Sequence, residues 1–129
     1  MTVTPEEFDR EVRALFGDRW AASGVLQDVL VVAVVDPVDD DVDRLHQIAA
    51  GAGVVAVNFS REQLEAFMDA IEAQLTETGE LVGFLQMSPD GFQGRIDLVV
   101  DRPVPLLEAW AVDHLPGRTL VVELVPPLD

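Results

Sequence analysis

A chain of 129 residues, 49% hydrophobic and 25% charged, has the make-up of one globular domain and excludes disorder and collagen-like repeats. Its 24 Asp and Glu stand against 8 basic residues, all Arg, for a net charge of −16, which argues against binding a nucleic-acid backbone or an anionic membrane surface. With no Cys and no Lys, disulfides, thiolate zinc sites, a cysteine nucleophile and a Walker phosphate loop are all excluded.

Thr4-Pro5-Glu6-Glu7 predicts a helix start: Thr4 caps, Pro5 takes the first helical position and Glu7 completes a capping box. Phe8, Val12, Leu15 and Phe16 follow at helical spacing, and Gly17 ends the helix. Residues 18–28 read as a connection, with Trp20 as an anchor against the body. Val29 to Val35 is apolar on both parities and predicts a strand covered on both faces. Asp39 then caps a helix to about Ala50, with Val42, Leu45, Ile48 and Ala49 facing inward, before a strand at Val54 to Phe59.

Ser60-Arg-Glu-Gln63 opens the strongest helix, with the apolar stripe Leu64, Phe67, Met68, Ile71 and Leu75 and a stop at Gly79. Leu81 to Met87 predicts a strand and Ser88-Pro-Asp-Gly91 a hairpin turn. In the partner strand, Phe92 to Val100, residues Phe92, Gly94, Ile96, Leu98 and Val100 share one face. Pro103 and Pro105 start a helix carrying Leu106, Leu107, Trp110 and Leu115, and Arg118 to Val125 is the last strand, stopped by Pro126-Pro127. The expected core gathers Leu64, Phe67, Ile71, Ile96, Leu98 and Trp110.

The order α, βα, βαββαβ predicts a single α/β domain over 1–129, with one mixed sheet of about five strands. Residues 54–125 have the βαββαβ order of a ferredoxin-like core with an N-terminal α and βα extension, or the whole has a thioredoxin-like order without redox cysteines. Both are folds that host unrelated functions, so neither supplies one.

Two acidic groups stand out. Asp36, Asp39, Asp40, Asp41 and Asp43 precede His46. Oxygen ligands at this density suit a divalent cation, and Asp36, Asp39, Asp43 and His46 would be the ligands of a small metal-assisted hydrolase or lyase. Asp is also favoured at the positive end of a helix, where this run sits, and the spacing fits no calcium loop. The expectation is therefore no metal and no cofactor. The second group, Glu62, Glu65, Asp69 and Glu72, has offsets 0, 3, 7 and 10 and shares one face of the long helix, opposite its apolar stripe. A single-signed face suits a basic protein partner.

Ser60 is occupied as a cap and Ser88 as a turn residue, and no nucleophile elbow or glycine-rich phosphate loop occurs. An apolar surplus on the sheet (Val82, Phe84, Val99, Val121, Val125) calls for a cover, either the first helix or a second copy of the chain in a homodimer. The longest apolar run has seven residues, Val29 to Val35, against the roughly 20 a membrane helix needs. The N-terminus lacks the basic and apolar regions of a signal peptide, so a cytoplasmic location is expected. The reading that follows is a non-enzymatic acidic module docking a basic partner through the carboxylate-lined helix, with the metal-assisted enzyme and a homo-oligomeric structural domain as alternatives.

Overall fold

The computed structural model describes residues 3–126; Met1, Thr2 and residues 127–129, with the expected stop at Pro127, lie outside them. The fold is mixed α/β, with six strands in two three-stranded sheets, and the chain divides into two compact units.

The first unit comprises residues 1–62 with 91–93. Helix α1 (Pro5–Phe16) begins as its sequence dictates, the Glu7 N–H donating to Thr4 Oγ1 at 3.1 Å, and ends at Gly17 with φ +57°. A 3₁₀ turn (Gly17–Arg19) leads into β1 (Trp20–Leu26), which pairs antiparallel with β2 (Val29–Val35). Helix α2 (Asp39–Ile48) then returns the chain to β3 (Gly53–Val57), parallel to β2. The sheet order is β1-β2-β3.

Phe8, Val12 and Phe16 of α1, Leu45 of α2 and Ala49 just after it pack with Val32, Val34 and Trp20 into one core. Fully burying a large apolar side chain of this kind contributes about 1.5–3 kcal/mol. Val31 and Ala33, on the other parity of β2, are buried too, so the strand is covered on both faces as its composition predicts. The apolar stripe of α1 is thus spent on this unit's own sheet. A Cβ at Gly91 would lie 2.5 Å from the Ala21 carbonyl oxygen, so within this unit only glycine fits there.

The second unit comprises residues 63–90 and 94–129, the boundary falling in the first turn of α3 (Arg61–Thr78). A 3₁₀ turn (Glu80–Gly83) precedes β4 (Phe84–Asp90), which pairs antiparallel with β5 (Arg95–Val100). Helix α4 (Pro105–His114) follows, and β6 (Leu120–Leu124) runs parallel to β5. The sheet order is β4-β5-β6. Leu64, Ile71 and Leu75 of α3, Ile96, Leu98 and Val100 of β5, and Leu107 of α4 are all fully buried. Each unit therefore has the same order, helix, 3₁₀ turn, antiparallel strand pair, helix, parallel strand.

Several expectations are corrected. Residues 20–26 form a strand, not a connection, because a two-residue turn joins Leu26 to Val29: Gln27 (φ 50°) and Asp28 (φ 66°) both take the left-handed region, as a type I′ hairpin requires. The βαββαβ order over 54–125 exists along the chain, but β3 pairs with β2, so the strands make two sheets and neither the ferredoxin-like nor the thioredoxin-like sheet. The β4–β5 turn lies at 91–94, closed by the Gly94 N–H on the Asp90 carbonyl, with Pro89 tolerated because β4 is an edge strand. Phe67 and Trp110 are half-buried, outside the fully buried core. Val42 is exposed, and Asp41 takes the inward position instead.

Because Ile71 is fully buried in the second unit, Ile71→Ala is expected to cost about 2–5 kcal/mol, a large share of a small fold's stability. Denaturant unfolding measures it; a loss under about 1 kcal/mol would contradict this packing.

Candidate functional site

The carboxylates of α3 lie where the helical offsets place them. Glu62, Glu65, Asp69 and Glu72 are all exposed, on the side of the helix away from the buried Leu64, Ile71 and Leu75. Burial of the apolar stripe fixes the rotation of the helix, so the acidic face is held outward by the core.

The Asp36–His46 segment is used differently. Asp36 follows β2 in the left-handed region (φ 48°), a conformation that Asp tolerates better than most residues. Asp39, Asp40 and Asp43 are exposed on α2. The N-cap is Val38, not Asp39, and a valine side chain cannot accept the free N–H groups of the first turn. Asp41 compensates: its Oδ2 accepts the Val38 N–H at 2.8 Å. It is 1% exposed, and a bare carboxylate there would be costly. Arg19, from the turn before β1, meets it with two parallel bonds, Nη1 to Oδ2 at 2.8 Å and Nη2 to Oδ1 at 3.0 Å. The Arg19 bonds, with help from the Val38 N–H, hold the Asp41 carboxyl down at about 2, and the pairing raises Arg19 above its ordinary value. This bidentate pair is a structural clasp between the start of β1 and the start of α2.

The other groups that could carry chemistry are occupied or apart. His46 Nε2 lies 3.0 Å from the Ala52 carbonyl oxygen. His114 stacks on Trp110 with centroids 5.0 Å apart, its Nδ1 2.9 Å from the Trp110 carbonyl oxygen. Ser23 donates to Asp9, which also pairs with Arg13 at 2.9 Å; Arg13 in turn stacks over Trp20 at 4.1 Å. Ser60 is buried and Ser88 lies within β4. Asp36, Asp39, Asp43 and His46 are not gathered: among the described residues no group of three or more His, Asp or Glu is placed to hold a metal ion.

In the second unit, the N-terminus of α4 presents the same problem as α2, since its N-cap is Val104. Glu80, from the turn before β4, accepts the Leu106 N–H at 3.1 Å and the Leu107 N–H at 2.8 Å, placing a negative charge at the positive end of the helix. Neither Arg19 nor Glu80 stands out in the sequence by motif or spacing. The available signal was indirect: a valine at each helix start, which leaves N–H groups in need of an acceptor.

No protein-family model and no curated protein matches the chain. Among the described residues no helix is long and apolar enough to cross a membrane.

The clasp has a pH signature. Asp41 titrates near 2 when folded against an ordinary 3.8. Its contribution is therefore fully present above about pH 4 and is lost as pH falls through about 2, a difference of roughly 2 kcal/mol. Asp41→Asn is expected to lower stability by about that amount at neutral pH and by little at pH 2. Urea unfolding across this range measures it; an equal loss at both ends would show that the charge of the pair contributes nothing.

Proposed function

We propose that this chain is a non-catalytic acidic interaction module that docks a basic protein partner through the outward face of α3. The observation that carries the reading is the exposure of Glu62, Glu65, Asp69 and Glu72 along one 18-residue helix. Like charges at such spacing each oppose helix formation by a few tenths of a kcal/mol. A face of one sign, held rigidly outward, steers and orients an oppositely charged partner. The Asp36–Asp43 segment supports docking less well, because Asp41 is committed to Arg19 and the run serves the start of α2. The reading includes a cytoplasmic setting, the location expected from the sequence.

Replacing all four acids by Gln keeps side-chain length and helix propensity and removes charge. The variant is expected to melt at the same temperature or slightly higher, while association with the partner slows, most at low salt where screening is weak. Capture of a basic protein from native lysate at two ionic strengths, followed by binding kinetics with the captured protein, makes the comparison. Equal capture and unchanged low-salt kinetics in the variant would remove this face from consideration.

A further inference from the structure

The second unit has an open sheet edge beside an apolar groove. Strand β6 is terminal in the order β4-β5-β6. The Ile96 N–H donates to the Thr119 carbonyl at 2.6 Å, and the Val125 N–H donates to the Val100 carbonyl at 2.8 Å. In a parallel ladder, alternate residues turn both main-chain groups toward the same neighbour. Residues 119, 121, 123 and 125 therefore face β5, and Leu120, Val122 and Leu124 turn their N–H and C=O groups to the open edge. No other strand of the described residues pairs there.

Along this edge runs a groove of about 390 Å³ between α4 and β6. Leu120 and Val122 line it from the strand, and Ala111, Val112 and Leu115 from the helix, with Glu108 and Arg118 as its charged lining. Val112 is 82% exposed, a large apolar side chain left in solvent at the groove wall. The opposite face of the strand carries the exposed Val121 and Glu123.

We infer that this edge binds an extended segment of a protein partner whose residues alternate apolar and basic. Added as a fourth strand, the segment would bond to the outward groups of Leu120, Val122 and Leu124, as in recognition by strand addition. Its apolar side chains would enter the groove, and the alternate basic ones would meet the face that holds Glu123. Charge selects this occupant. Setting aside Glu65, Asp69 and Glu72 of α3, residues 63–90 and 94–129 still carry nine Asp and Glu against three Arg, so a basic segment is attracted, whereas a second copy brings the same negative field to the same edge. The surface is distinct from the outward face of α3 and the inference does not rest on the docking role given to that face.

The test uses the full chain and labelled short peptides, one alternating Val and Arg, one alternating Val and Glu, and one of the same positive charge without Val. Val122→Pro removes an outward N–H while leaving the bonds to β5, as proline on an edge strand does. Val112→Asp alters an exposed position and keeps the test valid if Val122→Pro fails to fold. By fluorescence anisotropy at physiological salt, the Val/Arg peptide is expected to bind, with the other two at least about tenfold weaker, and each variant is expected to lose about tenfold or more while α3 with its four acids changed to Gln retains the affinity. Overturning results would be no binding of the Val/Arg peptide, equal affinity of the valine-free peptide, or affinity unchanged in both variants. Light scattering showing a dimer that Val122→Pro dissociates would assign the edge to a second copy and equally overturn the inference.

Discussion

The start of the second helix in each unit is the constraint on which the rest of the structure turns. A helix begins with N–H groups that have no partner within it. Here both helices open behind a valine, Val38 or Val104, with no side-chain acceptor of its own. Each unit recruits the 3₁₀ turn before its first strand. In the first, Asp41 folds inward to accept the Val38 N–H and Arg19 of the turn neutralises it. In the second, Glu80 of the turn reaches the helix directly. The position of Asp41, third in its ten-residue helix, is taken in α4 by the buried Leu107. An acid inside the helix needs a base from the turn; an apolar residue inside the helix leaves room for an acid from the turn. Either way, the turn is tied to the helix that follows the strand pair, and the first strand, the middle strand and the second helix are fixed together.

This tie explains how the acid-rich segment after β2 is used. A carboxylate in the first helical turn is favoured by the helix dipole whether or not it binds anything. Asp39, Asp40 and Asp41 occupy that turn, and the one that is buried is paired. The acids of α3 are placed differently. Glu65, Asp69 and Glu72 lie beyond the first turn of an 18-residue helix and face solvent. Two runs that look alike as charge thus differ in placement: one completes a helix start, and the other lies along an exposed helix face.

Much of the fold was legible in the sequence, for reasons that can be named. Thr4-Pro5 and the 3.6-residue stripe of Phe8, Val12 and Phe16 specify α1, and the two-sided apolarity of Val29 to Val35 specifies a covered middle strand. Strand β1 was hidden because Trp-Ala-Ala-Ser-Gly-Val-Leu lacks alternation, and because Gln27-Asp28 is not a common pair for a turn with two positive φ values. The division into two sheets depends on that strand: without it, β2 has no antiparallel neighbour and the element order implies one larger sheet. The exposed site on α3 was legible because helical spacing alone decides its face. The clasp was not, since Arg19 and Asp41 are 22 residues apart and only the fold brings them together.

The two units also explain why the sequence read as a single longer progression. Val34-Val35-Asp36-Pro37-Val38 and Val99-Val100-Asp101-Arg102-Pro103-Val104 end the middle strand and cap the second helix in their respective units. The echo differs by one inserted residue, and the helices that follow share only their length, Asp-rich in one case and apolar in the other. Burial imposes the pattern of apolar positions, but it leaves the exposed positions free to differ. In α2 they include Asp39, Asp40 and Asp43, while α4 leaves Leu106 and Val112 in solvent. Identical topology with different surface side chains means that the architecture alone does not dictate what either unit binds. The surfaces that distinguish them, the carboxylates along α3 and the apolar side chains beside the open edge of β6, are the places where function is to be sought.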